Sequence, residues 1–166
     1  MPQRVYVETT IPSYLTAWPS RDLIIAGHQQ LTKEWWRTRR SEFELYISQF
    51  VLDEVGAGDA EAAKERLAIL NPLPLLDVSD AVLELAAAIL QEGVIPAKAA
   101  RDAAHIAISA VHGIDFLLTW NCAHIANAQI VKRVQAICTR HGFPCPLICT
   151  PEQLMGGQDD SRSDRG

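Results

Sequence analysis

Short apolar runs rich in β-branched and aromatic residues alternate along the chain with longer stretches of helical periodicity. The runs are "VYV" at 5–7, "ELYIS" at 44–48, "LPLLD" at 73–77, "DFLLTW" at 115–120 and "PLICT" at 146–150. No two runs are joined by a tight hairpin signal, and each gap is long enough for a crossover helix. Strands separated by helices form a parallel sheet covered on both faces. The expected fold class is therefore α/β, a three-layer α/β/α domain on a five-stranded parallel sheet.

The connecting segments carry their own start and stop signals. "IPSYLTA" opens with Pro12 in a first turn and breaks at Pro19-Ser20. A long helix is expected from Asp22 to Arg39, with its acid at the start and its cations at the end, as the helix dipole favours. "QFVLDEVGAG" reads as a turn and short helix, and "DAEAAKERLAIL" as a helix. "SDAVLELAAAILQEG" has Ser79 as cap and Gly93 as stop. "IPAKAARDAAHIAISAVHG" is opened by Pro96 and closed by Gly113, and "HIANAQIVKRVQAICTRHG" is expected to be helical from His124. The chain has 166 residues, 48% of them apolar, which suits one domain with a substantial core. That domain is expected over 1–155. "GGQDDSRSDRG", 156–166, lacks apolar periodicity and reads as a disordered tail.

The formal charge of −5 argues against a general nucleic-acid binder with a basic surface, but not against an enzyme with one local basic patch. The densest basic run is "KEWWRTRR". Its adjacent tryptophans, Trp35 and Trp36, point to different sides of a helix, which favours core or dimer packing over an RNA grip. No apolar run approaches membrane-spanning length and no basic-then-apolar leader opens the chain. A cytoplasmic location without membrane association is the expectation. The four cysteines, Cys122, Cys138, Cys145 and Cys149, are then expected as thiols. Cys138, His141, Cys145 and Cys149 lack zinc-knuckle spacing, so buried thiols are preferred to a zinc site.

Four polar side chains fall where a parallel sheet builds its sites, at the carboxyl ends of the strands. Glu8 ends the first strand, Glu54 lies in the first turn after the second, and Asn121 follows the fourth by two residues. Asp102 lies about two turns beyond Pro96, on a helix running antiparallel to the strands, so it too reaches the carboxyl edge. Carboxylates gathered in one place repel one another, and a hard divalent cation removes that penalty. All-oxygen donors suit Mg²⁺ or Mn²⁺, which activate water against phosphodiesters. Plainer roles stand beside this one. Glu8 and Glu54 suit helix N-terminal acids, Asn121 a turn cap, and His105 a structural histidine. Thr10 and Thr119 suit orientation of the carboxylates or turn capping.

"YVETTIPSYL", "SQFVLDEV", "RDAAHIAISAVHGIDFLLTWN" and "HIANA", in this order over residues 4–155, resemble the PIN-domain nucleases, in particular the VapC-like toxins of toxin–antitoxin pairs. The resemblance implies a PIN-like fold, Mg²⁺- or Mn²⁺-dependent ribonuclease activity on RNA, a homodimer and inhibition by a cognate antitoxin protein. Position by position, Glu8 takes the place of the usual first-strand Asp and Thr10 that of the polar residue two later. Glu54 and Asp102 match the second and third acids, and Asn121 stands where many members have a fourth. By this reading the catalytic set is Glu8, Glu54, Asp102 and Asn121, the first three hold the metal, and Thr10, His105 and Thr119 support them. Two departures follow: Glu8 is a methylene longer than Asp, and Asn121 carries no charge. They motivate an alternative, a PIN-fold binding module that keeps its partner surface and cleaves poorly. A phosphohydrolase or phospho-accepting receiver-like domain is a third reading, for which Glu8 is a poor nucleophile.

Overall fold

A computed structural model of the chain describes residues 1–156. The expected tail at 156–166 lies outside the described residues but for Gly156. Five strands form one sheet: β1 (Arg4–Val7), β2 (Glu44–Ser48), β3 (Leu75–Leu76), β4 (Phe116–Leu118) and β5 (Leu147–Cys149). Every pairing is parallel and the order is β3-β2-β1-β4-β5. The α/β class and the five-stranded parallel sheet agree with the sequence reading. β1 is the centre, and its Val5, Tyr6 and Val7 are all buried, as a strand covered on both faces must be.

The helices are α1 (Thr10–Thr16), α2 (Leu23–Thr38), α3 (Gln49–Val55), α4 (Ala60–Leu70), α5 (Asp80–Gln91), α6 (Ala100–Val111) and α7 (Ala128–Arg140). α1 packs on α2 and α4, while α5 packs on α6 and α7, giving two helical layers with the sheet between them. The starts of several helices follow from single side chains. Asp22 accepts from the N–H groups of Ile24 and Ile25, Ser79 from Val82, and Asn127 from Gln129 and Ile130.

Four expectations need correction. Glu54 is near the end of α3 and not in a first turn, because α3 starts at Gln49 directly after β2, so the role of a helix N-terminal acid does not apply to it. The helix expected from His124 begins at Ala128, because Asn127 caps it and residues 122–126 form turns. Asp102 is in the first turn of α6 and not two turns along, because Ala97–Ala99 form a separate 3₁₀ turn after Pro96. β4 ends at Leu118, so Asn121 follows it by three residues.

Trp35 is wholly buried in the core, donates Nε1–H to the Leu154 carbonyl at 3.0 Å and stacks on Phe43. Trp36 lies against the core, with Arg40 over its ring. The basic run thus sits at the end of α2, which leads into β2 and so lies at the amino edge of the sheet.

Candidate functional site

From β1 the chain passes outward through β2 and β3, then returns to place β4 on the other side of β1. The strand order reverses between β1 and β4, and their carboxyl ends open the crevice in which such sheets bind ligands. The register pairs Val7 with Leu118, which sets the next residues, Glu8 and Thr119, side by side.

Glu8 is only 3% exposed. Its Oε2 accepts from Thr119 Oγ1 at 2.7 Å, Thr10 Oγ1 at 2.6 Å and the Thr10 N–H at 3.0 Å. These donors offset the cost of burying the carboxylate. The bond from the Thr10 N–H means that Glu8 also serves the start of α1, the plainer role foreseen for it. Thr10 Oγ1 accepts in turn from the Trp120 N–H, and Trp120 Nε1–H donates to buried Thr32, with His28 stacked on the indole at 4.0 Å. These contacts pin the segment after β4 against α1 and α2.

Glu54 lies near the end of α3, whose residues 49–55 follow β2 directly. Its Oε1 accepts from Thr9 Oγ1 at 3.0 Å and meets His105 Nε2 at 2.5 Å. Burial raises the affinity of this carboxyl for its proton. The hydrogen bond and charge of His105, the Thr9 hydroxyl and the charge of Arg101 outweigh burial, so its pKa falls below the ordinary value. An ionised carboxylate only accepts, so His105 Nε2 carries a hydrogen. His105 is fully buried, and its Nδ1 lies 2.7 Å from the Tyr6 hydroxyl, itself 2.7 Å from Ser48 Oγ. Burial pushes the Tyr6 pKa far up, so the phenol keeps its proton. The Tyr6 hydroxyl thereby bridges His105 Nδ1 and Ser48 Oγ. The chain Ser48–Tyr6–His105 thus props Glu54 from beneath.

Asp102 Oδ2 accepts from His124 Nδ1 at 2.9 Å. His124 is a partner that sequence reasoning missed. The signal was present as "NCAH", an Asn three residues before a His. The Asn121 Oδ1 accepts from the His124 N–H at 3.0 Å, and its carbonyl accepts from Ile125 and Ala126. Asn121 is therefore a turn-former that carries His124 to Asp102. The Asn121 N–H donates to Thr119 Oγ1 at 2.9 Å.

The links close into a ring. Asp102 is tied through His124 and Asn121 to Thr119, and Thr119 to Glu8. Thr10 binds Glu8, its neighbour Thr9 binds Glu54, and His105 returns from Glu54 to α6, three residues along from Asp102. Each carboxylate has one oxygen held by donors of the chain. The second oxygens, Glu8 Oε1, Glu54 Oε2 and Asp102 Oδ1, accept from none of the described residues.

Hard, oriented carboxylate oxygens are the donors that Mg²⁺ or Mn²⁺ takes. Yet among the described residues no three His, Cys, Asp or Glu side chains stand together so as to hold one ion. Mg²⁺ commonly uses one or two carboxylates and completes its shell with water and substrate phosphate, so the donor set suits such an ion without a three-carboxylate cage. The cysteines likewise form no such group. Cys138 and Cys149 belong to the core, and burial pushes the Cys149 thiol up to about 12. No protein-family model and no curated protein sequence matches this chain.

Proposed function

We propose that the protein is an Mg²⁺- or Mn²⁺-dependent endoribonuclease of the PIN type, toxin-like and restrained by an antitoxin protein. One observation carries the reading: three carboxylates at the strand-order reversal, each with one oxygen tied down by the chain and one left over. One or two of Glu8, Glu54 and Asp102 would hold the ion through those remaining oxygens, with water and substrate phosphate completing its shell. The ion supplies Lewis acidity and charge compensation at a phosphodiester. The chain's own part is to orient. Thr10 and Thr119 fix Glu8, Thr9 and His105 fix Glu54, and His124 fixes Asp102. Arg101 and His105 keep Glu54 ionised, the form that binds a cation.

The test is cleavage of labelled single-stranded RNA by purified, EDTA-treated protein, with and without added Mn²⁺. Ion-dependent cleavage, lost together with calorimetric Mn²⁺ binding in Glu8→Ala with Asp102→Ala, supports the reading. Ion-independent products or none at all would sink it.

A second reading has its own observation. The absence, among the described residues, of a three-ligand group fits a PIN-like module that binds its partner and cleaves poorly. Mn²⁺ binding without turnover is its signature.

A further inference from the structure

An open cleft of about 470 Å³ is lined by Glu54, Asp102 and His124 together with Lys98 and Arg101. Two carboxylates and two permanent cations share it, yet they do not pair. Glu54 is held by Thr9 and His105, and Asp102 by His124. Among the described residues, Lys98 and Arg101 make neither a salt bridge nor a side-chain hydrogen bond. Arg101 still lies close enough to Glu54 for its charge to favour the ionised carboxyl. The cations therefore keep all their donors for something that enters the cleft, and the acids beside them are satisfied without them.

We propose that Lys98 and Arg101 clamp a backbone phosphate of single-stranded RNA in this cleft, adjoining the phosphodiester presented to Glu54 and Asp102. The proposal rests on the nuclease reading and supplies what that reading lacks, a grip on the substrate. A guanidinium offers a planar fork of donors that matches phosphate oxygens, and an ammonium a point charge beside it. The net charge of −5 denies the protein any general hold on nucleic acid, so the grip must be local. The other basic run, 33–40, lies at the amino edge of the sheet, away from the carboxylates. Its Arg39 is spent on Glu42 and its Arg40 on the Trp36 ring.

The test is fluorescence anisotropy with a labelled single-stranded RNA of about 12 nucleotides in EDTA, so that binding is read without cleavage. Lys98→Gln with Arg101→Gln should weaken binding at least about tenfold. It should also flatten the slope of log affinity against log salt by about 0.7, the value for one lost phosphate contact on a single strand. Arg101→Lys, which keeps the charge, should recover part of the loss, and this separates a lost contact from a lost fold. Lys33→Gln with Arg37→Gln should leave affinity and slope unchanged. Unchanged binding in the Lys98/Arg101 variant overturns the clamp while leaving hydrolysis standing. Loss of binding in the Lys33/Arg37 variant also overturns it, as does failure of the wild-type protein to bind RNA at low salt. So does a poly-glutamate peptide that needs Lys98 and Arg101 while RNA does not, which would make the cleft a peptide site. A protein that binds RNA through the clamp yet never cleaves it upholds the clamp and sinks the nuclease reading.

Discussion

At the scale of single residues, the carboxylates of the site differ in what holds them and should answer differently to change. Glu8→Gln retains an amide oxygen for Thr10 and Thr119, so stability should fall by only about 1 kcal/mol, the difference between charged and neutral acceptors. Mn²⁺ affinity in calorimetry should fall at the same time; an unchanged affinity would move the ion elsewhere. Glu54 offers a pH test in metal-free protein. Its folded pKa is held below the ordinary value of 4.5, so the folded state binds this proton more weakly than the unfolded chain. Its stabilising effect is complete above the unfolded value and lost as pH falls through the folded one. The stability difference between wild type and Glu54→Gln should stay flat above pH about 4.5 and shrink below it, by urea titration in EDTA. A difference that does not change with pH would mean that Glu54 is not ionically held. Asn121→Ala removes the acceptor of the His124 N–H and should cost about 1 kcal/mol, whereas Asn121→Asp keeps it. If Asn121→Asp instead lowers the Mn²⁺ concentration for half-maximal cleavage, Asn121 is a ligand as well.

At the scale of elements, α6 decides where two of the key side chains stand. It runs antiparallel to the strands, so its first turn brings Asp102 to the carboxyl edge and its next turn sends His105 down to Tyr6. It must then stop and reverse into β4 within four residues, 112–115. Gly113 makes that reversal at φ +64°, with no atom within 4 Å of where a Cβ would stand. Gly113→Ala should therefore cost about 1 kcal/mol through backbone conformation alone. Gly27 gives the opposite sign. It lies inside α2 with equally open space and no positive φ, so Gly27→Ala should add about 0.5–1 kcal/mol. Midpoints moving in opposite directions check both, and a loss at Gly27 would mean that its exposed face is covered in solution.

At the scale of the whole molecule, the apolar excess on α2 is narrower than its sequence suggests. Trp35 is core, and Leu31 and Trp36 lie against it. What remains outside is Trp18 at 91%, Leu23 at 88% and Ile24 at 71% exposure, around the start of the helix. Large apolar side chains grouped in the open usually mark an interface. The expected outcome is a homodimer mass by light scattering at micromolar concentration. Leu23→Lys with Ile24→Lys should yield a monomer whose melting no longer depends on protein concentration. A monomeric wild type would leave this surface to another partner, the antitoxin of the proposed function. No helix among the described residues is long and apolar enough to cross a membrane.

Strand and helix identities were legible in the sequence because periods of 2 and 3.6 are local properties. "ELYIS" is β2 residue for residue, and Ser79 caps α5 as its spacing foretold. The same alternation already put Glu8, Glu54 and Asp102 at one edge, because a parallel sheet sends every strand's carboxyl end the same way. The turn at 122–126 was not legible, since "HIANAQ" satisfies helical periodicity and only Asn127, as cap, starts the helix later. Nor was the wiring of the site. Thr119 meets Glu8 across 111 residues of chain, His105 meets Glu54 across 51 and His124 meets Asp102 across 22. Those meetings depend on the strand order β3-β2-β1-β4-β5, which is fixed by how the helical layers pack. The sequence by itself thus placed the three acids at the carboxyl edge, though not His124. Only the tertiary structure decided which oxygen of each is already taken, because hydrogen-bond partners are chosen by contacts between distant segments and no local period encodes them.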